Sequence, residues 1–528
     1  MSIQLIVSKQ NLDGALPQAR GCSRTEPAVC AVRGPLAANA IEPAKNPVGG
    51  MLKMRRWWYI AVSALMLAPV YWQSRLQAGD LSSHIYNAWL AQLIESGRAQ
   101  GLAIAGQSTN ILFDLMLGGL FRLCGAGPAQ RISVSVAVLV FVWGAHRFVS
   151  AVGGRPAWHL LPCIAMLAYG WVFHMGFFNF YLSMGLCFWA LATAWRWSPR
   201  RMAIAAALLL VAWLAHALPV MWAGGLLAYQ ALARGISPRA RAWLTASCVL
   251  VLALIQVVVR LAMSSFWSAQ QIKMVTGADQ LWVFDGKYVL VRAALLVVWA
   301  LLFVVLLRDS GPRRVLSGLP FQFCVLSAAA VFLLPGTILL PGFHHNLVYV
   351  TERMSLGVGI CICALLAAAQ PALVSRLAMG VVALVFFGFL YRDEKILNAI
   401  EDRMDRVISQ LPPGQRVVSG VDDPFLHVFG VTHMIDRVCL GRCFSYGNYE
   451  PSTGQFRIRA VADNPYVAKQ YADTWDMQTG SYVVRDRDLP LLQLILDQGG
   501  RMVVRSLEAG KPCGRTSLKA LPFLFPLN

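Results

Sequence analysis

Apolar runs alternate with short polar loops along most of the chain, and many of those loops carry arginine. The clear runs are Trp57 to Trp72, Ile132 to Val149, Trp158 to Met175, Phe177 to Trp195, Met202 to Leu218, Pro219 to Ala233, Trp243 to Met263, Tyr288 to Leu307, Val315 to Leu334, Met354 to Ala369 and Leu377 to Tyr391. Lipid offers no partner to a bare backbone group, so runs of this kind cross it as helices. The pattern predicts a polytopic α-helical membrane protein with about eleven transmembrane helices.

Arginine sets the sidedness. Lys53, Arg55 and Arg56 precede the first run and keep its start in the cytoplasm. If the first run leads outward and the second inward, five basic groups become cytoplasmic together. They are Arg147 with Arg155, Arg196 with Arg200 and Arg201, Arg234 with Arg239 and Arg241, Arg308 with Arg313 and Arg314, and Arg376. The solution requires that Asn110 to Leu123 lie on the membrane instead of crossing it. That segment is short, holds Asp114 and ends in Arg122, which suits an interfacial helix. Asp80 to Glu95 reads the same way, with Ile85, Trp89 and Leu93 at helical spacing.

Three regions follow. Residues 1–50 lack periodicity and read as a flexible leader, or as an over-extended start with Met51 or Met54 as the true one. Residues 51–391 form the membrane domain, with a first external loop over 75–130. Residues 392–528 are polar and, by parity, exported as a small α/β domain. Within it Leu411 to Gly414 reads as a turn, Arg416 to Gly420 as a strand, and Leu489 to Asp497 then Arg501 to Arg505 as a helix followed by a strand. The first run is also the length of a cleaved signal peptide, which would leave the following residues exported all the same.

Composition agrees with the pattern. Of 528 residues, 57% are apolar and 14% charged, against roughly 25% charged in an ordinary soluble domain. A disordered chain, a coiled coil and most soluble enzymes are excluded. The net charge of +20, from 46 basic and 26 acidic residues, sits in the loops between apolar runs and reports topology and anionic lipid, not nucleic acid. Cys163, Cys187, Cys248, Cys324, Cys361 and Cys363 fall inside apolar runs and read as packing residues. Cys439, Cys443 and Cys513 lie in the exported tail, where two of them can pair in a combination the sequence leaves open. Zinc lacks a clear fourth ligand there.

One acidic residue stands out by position. Asp80 follows the first run by a few residues and opens a surface helix, with His84 one turn later on the same face. A carboxylate at a helix start is also favoured by the macrodipole, and that reading competes with a chemical one. The run Gly79-Asp80-Leu81-Ser82-Ser83-His84-Ile85-Tyr86-Asn87-Ala88-Trp89, continuing to Ile94-Glu95-Ser96-Gly97, resembles the first external loop of polytopic GT-C glycosyltransferases. The protein O-mannosyltransferases and the aminoarabinose transferases of lipid A belong to that superfamily. Asn110 to Gly125 resembles their second juxtamembrane helix. The chain departs from the family at Leu81, where a second acidic residue often stands, and lacks the Pro-Pro pair and lysine common in the second surface helix.

The resemblance implies a GT-C-like fold and transfer of a sugar, with inversion, from a polyprenyl-phosphate donor to a glycan, lipid or protein acceptor outside the membrane. It implies Asp80 as the general base on the acceptor hydroxyl, and it leaves the need for a divalent metal open. Arg353, in Thr351-Glu352-Arg353-Met354, resembles the Glu-Arg before a late span of these enzymes and is the candidate for the carrier phosphate. His84, Asn179, His344 and His345 complete the candidate substrate-binding set, with His174, His216, Asn346 and Glu352 at the same expected face. Lone histidines and arginines at a lipid boundary also occur as ordinary amphipathic groups. The expected location is the bacterial cytoplasmic membrane, with the N-terminus inside and the tail outside. The competing functions are a transporter or flippase, which would place ionisable groups near mid-membrane, and a non-catalytic envelope scaffold. Residues Phe444 to Pro451, beside the tail cysteines, read as a surface that packs on the membrane domain or recognises the acceptor.

Overall fold

The computed structural model describes residues 48–339, 347–423 and 426–518, with side chains from Trp57 onward. The chain divides into two units, residues 1–58 and 59–528. The first contributes, among the described residues, only the start of α1 (Val48–Tyr71). Helix accounts for 65% of the structure.

After α1 come α2 (Leu81–Glu95), strand β1 (Leu102–Ile104) and α3 (Leu112–Cys124). The bundle continues with α4 (Ala126–Gly153), the short α5 (Leu161–Ala168) and α6 (Trp171–Met175), α7 (Phe178–Ala194), α8 (Pro199–Ala215), α9 (Ala217–Ala233) and α10 (Pro238–Ala262). Strand β2 (Ser265–Phe266) leads through two 3-10 turns to α11 (Tyr288–Ser310), α12 (Pro312–Leu316) and α13 (Leu319–Leu333). Strand β3 (Thr337–Ile338), antiparallel to β2, precedes α14 (Val350–Leu366) and α15 (Leu373–Ile408).

Among the described residues, α4, α10, α11 and α15 are long and apolar enough to cross a membrane, and Trp57–Tyr71, α7, α9 and α13 are apolar but shorter. The best evidence for a lipid-facing surface is α10. Only 6% of its most apolar stretch is buried, against 67% for α4, and it presents Leu250, Leu254, Val258 and Leu261 outward. Water would not tolerate so large an apolar surface on a monomer. This is a mostly helical protein of membrane type. Of the about eleven spans expected, four are shown at full length among the described residues.

Trp158 to Met175 corrects that expectation most clearly. The segment is a 3-10 turn at Trp158–Leu160 followed by α5 and α6, broken at Tyr169 and Gly170. The break is possible because it is buried in protein, where other side chains can satisfy the freed backbone. Gln280, from the loop after α10, accepts the Val172 N–H at 3.2 Å, and Gly170 has no Cβ to obstruct the Gln280 backbone. Val315 to Leu334 is likewise divided, with Gly318 between α12 and α13. Elsewhere the helices pack tightly through small residues. Gly144 on α4 meets Gly185 on α7 so closely that a Cβ would clash with the opposing backbone.

The tail is built on a four-stranded sheet, ordered β6-β4-β8-β9. Strand β4 (Arg416–Ser419) runs parallel to β6 (Phe444–Ser445) and β8 (Leu492–Leu496), and β9 (Met502–Ser506) is antiparallel to β8. Strand β5 (Val421–Asp422) pairs with β10 (Thr516–Ser517), and α16 (Met434–Cys439), α17 (Tyr449–Thr453) and α18 (Tyr471–Thr479) complete the domain. The helix expected over Leu489 to Asp497 is therefore wrong: Leu492 to Leu496 is strand β8. Its short apolar run had no period to distinguish the two. A disulfide joins Cys439 to Cys443 at the end of α16, leaving Cys513 buried with a free thiol. Asp488 is buried and accepts from the Tyr446 and Tyr482 hydroxyls.

Membrane-type bundle and tail interlock. Strand β7 (Ile458–Ala460) of the tail pairs antiparallel with β1 of the first loop, from Leu102 opposite Ala460 to Ile104 opposite Ile458. Helix α15 passes through Tyr391 without a break and carries its polar continuation into the tail. There Glu401, fully buried, receives a two-pronged contact from Arg437 at 2.6 and 2.7 Å and a hydrogen bond from Gln77 at 2.8 Å. Arg75 pairs with Asp402 and lies 3.5 Å from Asp405.

Candidate active site

Asp80 is held by its backbone. Gly79 and Asp80 donate their N–H groups to the His174 and Met175 carbonyls at 2.8 and 3.0 Å, tying the start of α2 to the turn after α6. Gly176 makes that approach possible. Its φ of +84° suits glycine alone, and a Cβ there would lie 2.5 Å from the Asp80 nitrogen. The Asp80 carbonyl receives the His84 N–H, yet its carboxylate makes no capping bond to α2. The side chain is thus not spent on the helix start, and it keeps 14% of its surface open.

Two tail groups meet that carboxylate. His433, just before α16, places Nε2 at 3.5 Å from Asp80 Oδ1, and Tyr449, at the start of α17, lies within electrostatic reach of the same side chain. His433 also faces Asp436, with Nδ1 3.3 Å from Oδ2. Burial opposes a charge on this imidazole, but Asp436, Asp80 and Glu450 outweigh it and raise its pKa above the ordinary value.

A second acidic cluster begins one turn along α2. His84 Nδ1 lies 2.7 Å from Asp114 Oδ1 and 3.9 Å from Glu450 Oε1. Asn179, at the start of α7, donates to the other Asp114 oxygen at 2.7 Å and accepts the Phe113 N–H at 2.8 Å, fixing the first turn of α3. Glu450 accepts from Ser83 at 3.1 Å. Burial disfavours the His84 charge, yet Asp114, with Glu450 and Asp80 beyond it, raises its pKa to about 10. Burial moves the Glu450 pKa up, with His84 opposing. These groups line a small cleft with Asn87, Phe456 and Arg457.

Arg353 approaches from α14. Its guanidinium stacks 3.8 Å above the Phe177 ring, its Nε is buried with no hydrogen-bond partner, and it forms no ion pair among the described residues. It lies within electrostatic reach of Asp80 and Tyr449. Tyr349 precedes it at φ +56°, a strained value for a bulky residue. Its ring meets Trp171, Phe177 and Phe429, closing an aromatic wall beside the guanidinium.

Asp80, His84, Asn179 and Arg353 therefore belong to one end of the bundle, although His84 and Asn179 are already engaged with Asp114. His344, His345 and Asn346 lie outside the described residues. His174 bonds to the Gln77 carbonyl at 3.0 Å, below the Asp80 strap. His216 caps α9 by accepting the Leu218 N–H. Among the described residues no group of three His, Cys, Asp or Glu side chains is arranged to hold a metal ion.

Sequence reasoning missed Asp114, His433, Tyr449 and Glu450 as site residues. Tyr449 and Glu450 fell in the aromatic segment assigned to packing or acceptor recognition, while Asp114 served only to argue that α3 stays at the surface. His433 carried no local signal, since its partner Asp80 lies at the other end of the chain. An accessible carboxylate, a guanidinium with no ion pair among the described residues and hydroxyl-bearing neighbours can together deprotonate a nucleophile and receive an anionic leaving group. No family model, curated protein or solved structure matches this chain.

Proposed function

We propose that the protein is a membrane glycosyltransferase that takes a sugar from a polyprenyl-phosphate donor and passes it to an acceptor outside the cytoplasmic membrane. The observation that carries this reading is the pairing of opposites at one site: Asp80, part-exposed and free of capping duty, with Arg353, which has no ion pair among the described residues, within its field. Asp80 takes the proton of the acceptor hydroxyl as its oxygen attacks the anomeric carbon. The anomeric bond to phosphate breaks, its electron pair leaves with the carrier phosphate, and the Arg353 fork receives that charge. The wall of Trp171, Phe177, Tyr349 and Phe429 offers faces on which a sugar or the first prenyl unit can rest.

A transport path has less support, because Asp80, His84, Asp114, Arg353, His433 and Glu450 gather at one end of the bundle instead of marking a route through it. The tail as a pure scaffold explains neither the strained Tyr349 nor an Arg353 with no ion pair among the described residues.

Asp80→Asn keeps the shape and removes the base. In membranes supplied with a radiolabelled polyprenyl-phosphate sugar pool, wild type should transfer label to external glycan, lipid or protein, and the variant should lose about a hundredfold or more in rate. Equal transfer by both would make Asp80 a structural carboxylate and end the proposal.

A further inference from the structure

The tail contributes more than a cover to this end of the bundle. Asp436 is 1% exposed, and its Oδ1 accepts from the Ser445 hydroxyl at 2.5 Å. A carboxylate so deeply buried needs a cation, because leaving water costs it several kcal/mol. Its neighbour Arg437 is committed to Glu401, and the group that reaches Asp436 is the His433 imidazole. That imidazole is 6% exposed, and its opposite nitrogen faces Asp80. An imidazole with a carboxylate at each nitrogen can offer an N–H to both only as the imidazolium.

Resting on the transferase reading above, we propose that His433 is the positioning residue for Asp80. Its imidazolium is wedged between the Asp80 and Asp436 carboxylates and keeps the base aimed at the acceptor hydroxyl. His433 touches no reacting atom; it acts through Asp80. The tail thereby completes a site whose base sits on the first loop, and a bundle without its tail holds an unsupported Asp80.

The electrostatic surroundings of His433 come from several elements. Asp80 faces it from the start of α2, and Asp436 from α16. Tyr449, whose ring lies 5.3 Å away, and Glu450 face it from the start of α17. Arg353 on α14 acts on Asp80, and Glu401 on α15 is neutralised by Arg437. Carboxylates predominate in that set, and their sum favours the proton. Activity should then fall on the alkaline side, as His433 loses its charge.

The test uses the full chain in detergent or proteoliposomes. His433→Gln should lower kcat by about tenfold, leave KM for the polyprenyl-phosphate sugar near wild type, and remove the alkaline limb of the rate profile. Asp436→Asn, nearly isosteric, should keep activity at low pH and move that limb to lower pH, since the imidazolium has lost one of its two carboxylates. A merely structural His433 would lower kcat with the limb in place, and that outcome overturns the proposal.

A second measurement does not depend on transfer. In protein carrying 15N-labelled histidine, one of nine histidines, identified by its absence in His433→Gln, should remain protonated above the ordinary range, and Asp80→Asn should lower its titration midpoint. An unmoved midpoint overturns the proposal whatever the enzyme does. A coupled titration in a protein that transfers no sugar supports the Asp80 and His433 pairing and overturns the transferase reading alone.

Discussion

The two ends of the helical bundle solve different problems with the same charged residues. At the Asp80 end, carboxylates and cations are buried together: Glu401 with Arg437 and Gln77, Asp114 with His84 and Asn179, Asp436 with His433. At the far end, where α4 and α14 finish side by side, the arginines meet carbonyls. Arg155 donates to Ala369 at 2.7 Å, Arg234 to Trp195 at 2.9 Å and Arg376 to Pro371 at 3.2 Å. A cation on a helix-end carbonyl is cheap to hold and cheap to lose, since water can replace it. A buried carboxylate without its cation has no substitute. The contrast separates residues that organise a site from residues that mark a side.

The largest effect should come from the join between bundle and tail. Arg437 grips Glu401 with two nitrogens and the Leu76 carbonyl with a third contact at 2.9 Å, so it fastens α16, α15 and the approach to Asp80 together. Arg437→Ala leaves a fully buried carboxylate with only Gln77 and the more distant Arg75 guanidinium, 3.6 Å away. Removing one partner of such a pair costs about 3–5 kcal/mol. Thermal unfolding in detergent should show a large fall in midpoint, and limited proteolysis should release the tail before the bundle. Wild-type resistance in both would mean that the tail is held elsewhere.

The second effect is tied to pH through His84. Its pKa is about 10 in the folded protein against an ordinary 6.5, raised by Asp114 and Glu450 against the opposing effect of burial. A raised folded pKa gives stability that is complete below 6.5 and is lost as pH climbs through 10. His84→Gln should therefore be less stable than wild type by about 2 kcal/mol at pH 6.5, the usual worth of a charge-assisted hydrogen bond. The gap should close toward pH 10. Unfolding midpoints of both proteins across that range check the sign, and a gap constant with pH would show that the imidazole acts by packing alone.

What the sequence disclosed of this arrangement follows how local each signal is. The start of α2 was legible because Ile85, Trp89 and Leu93 repeat at helical spacing directly after an acidic residue. Helix α3 was legible as a short separate helix because Asp114 and Arg122 bound its apolar run. Strand β4 showed itself through Arg416 to Gly420. The break at Gly170 did not, because the glutamine that repairs it sits 108 residues away from Val172 in the loop before α11. Strand β8 resembled a helix because Leu492 to Leu496, with Leu491 before it, is too short a run to show a period. The site itself was half legible: Asp80 and Arg353 stand at ends of apolar runs, where position alone draws notice. His433 and Asp436 lie in ordinary polar sequence, and only the folding of the tail onto α2 gives them a task. The parity argument drew on arginine, the one residue type whose far-end members need no partner to be placed.

That last property gives the smallest effect and the sharpest boundary. Arg155 is exposed, and its contacts are to the Ala369 carbonyl and, at 3.4 Å, the Ala368 carbonyl beyond the end of α14. Arg155→Ala frees those oxygens to water and strands no charge, so its cost should stay near 0.5 kcal/mol, an order of magnitude below the Arg437 variant. Unfolding in detergent across the two variants measures the ratio directly. A cost for Arg155→Ala approaching that of Arg437→Ala would erase the distinction between the two ends. The far-end arginines would then have to be treated as structural members of the bundle, and their clustering would lose its value as a marker of which side of the membrane they face.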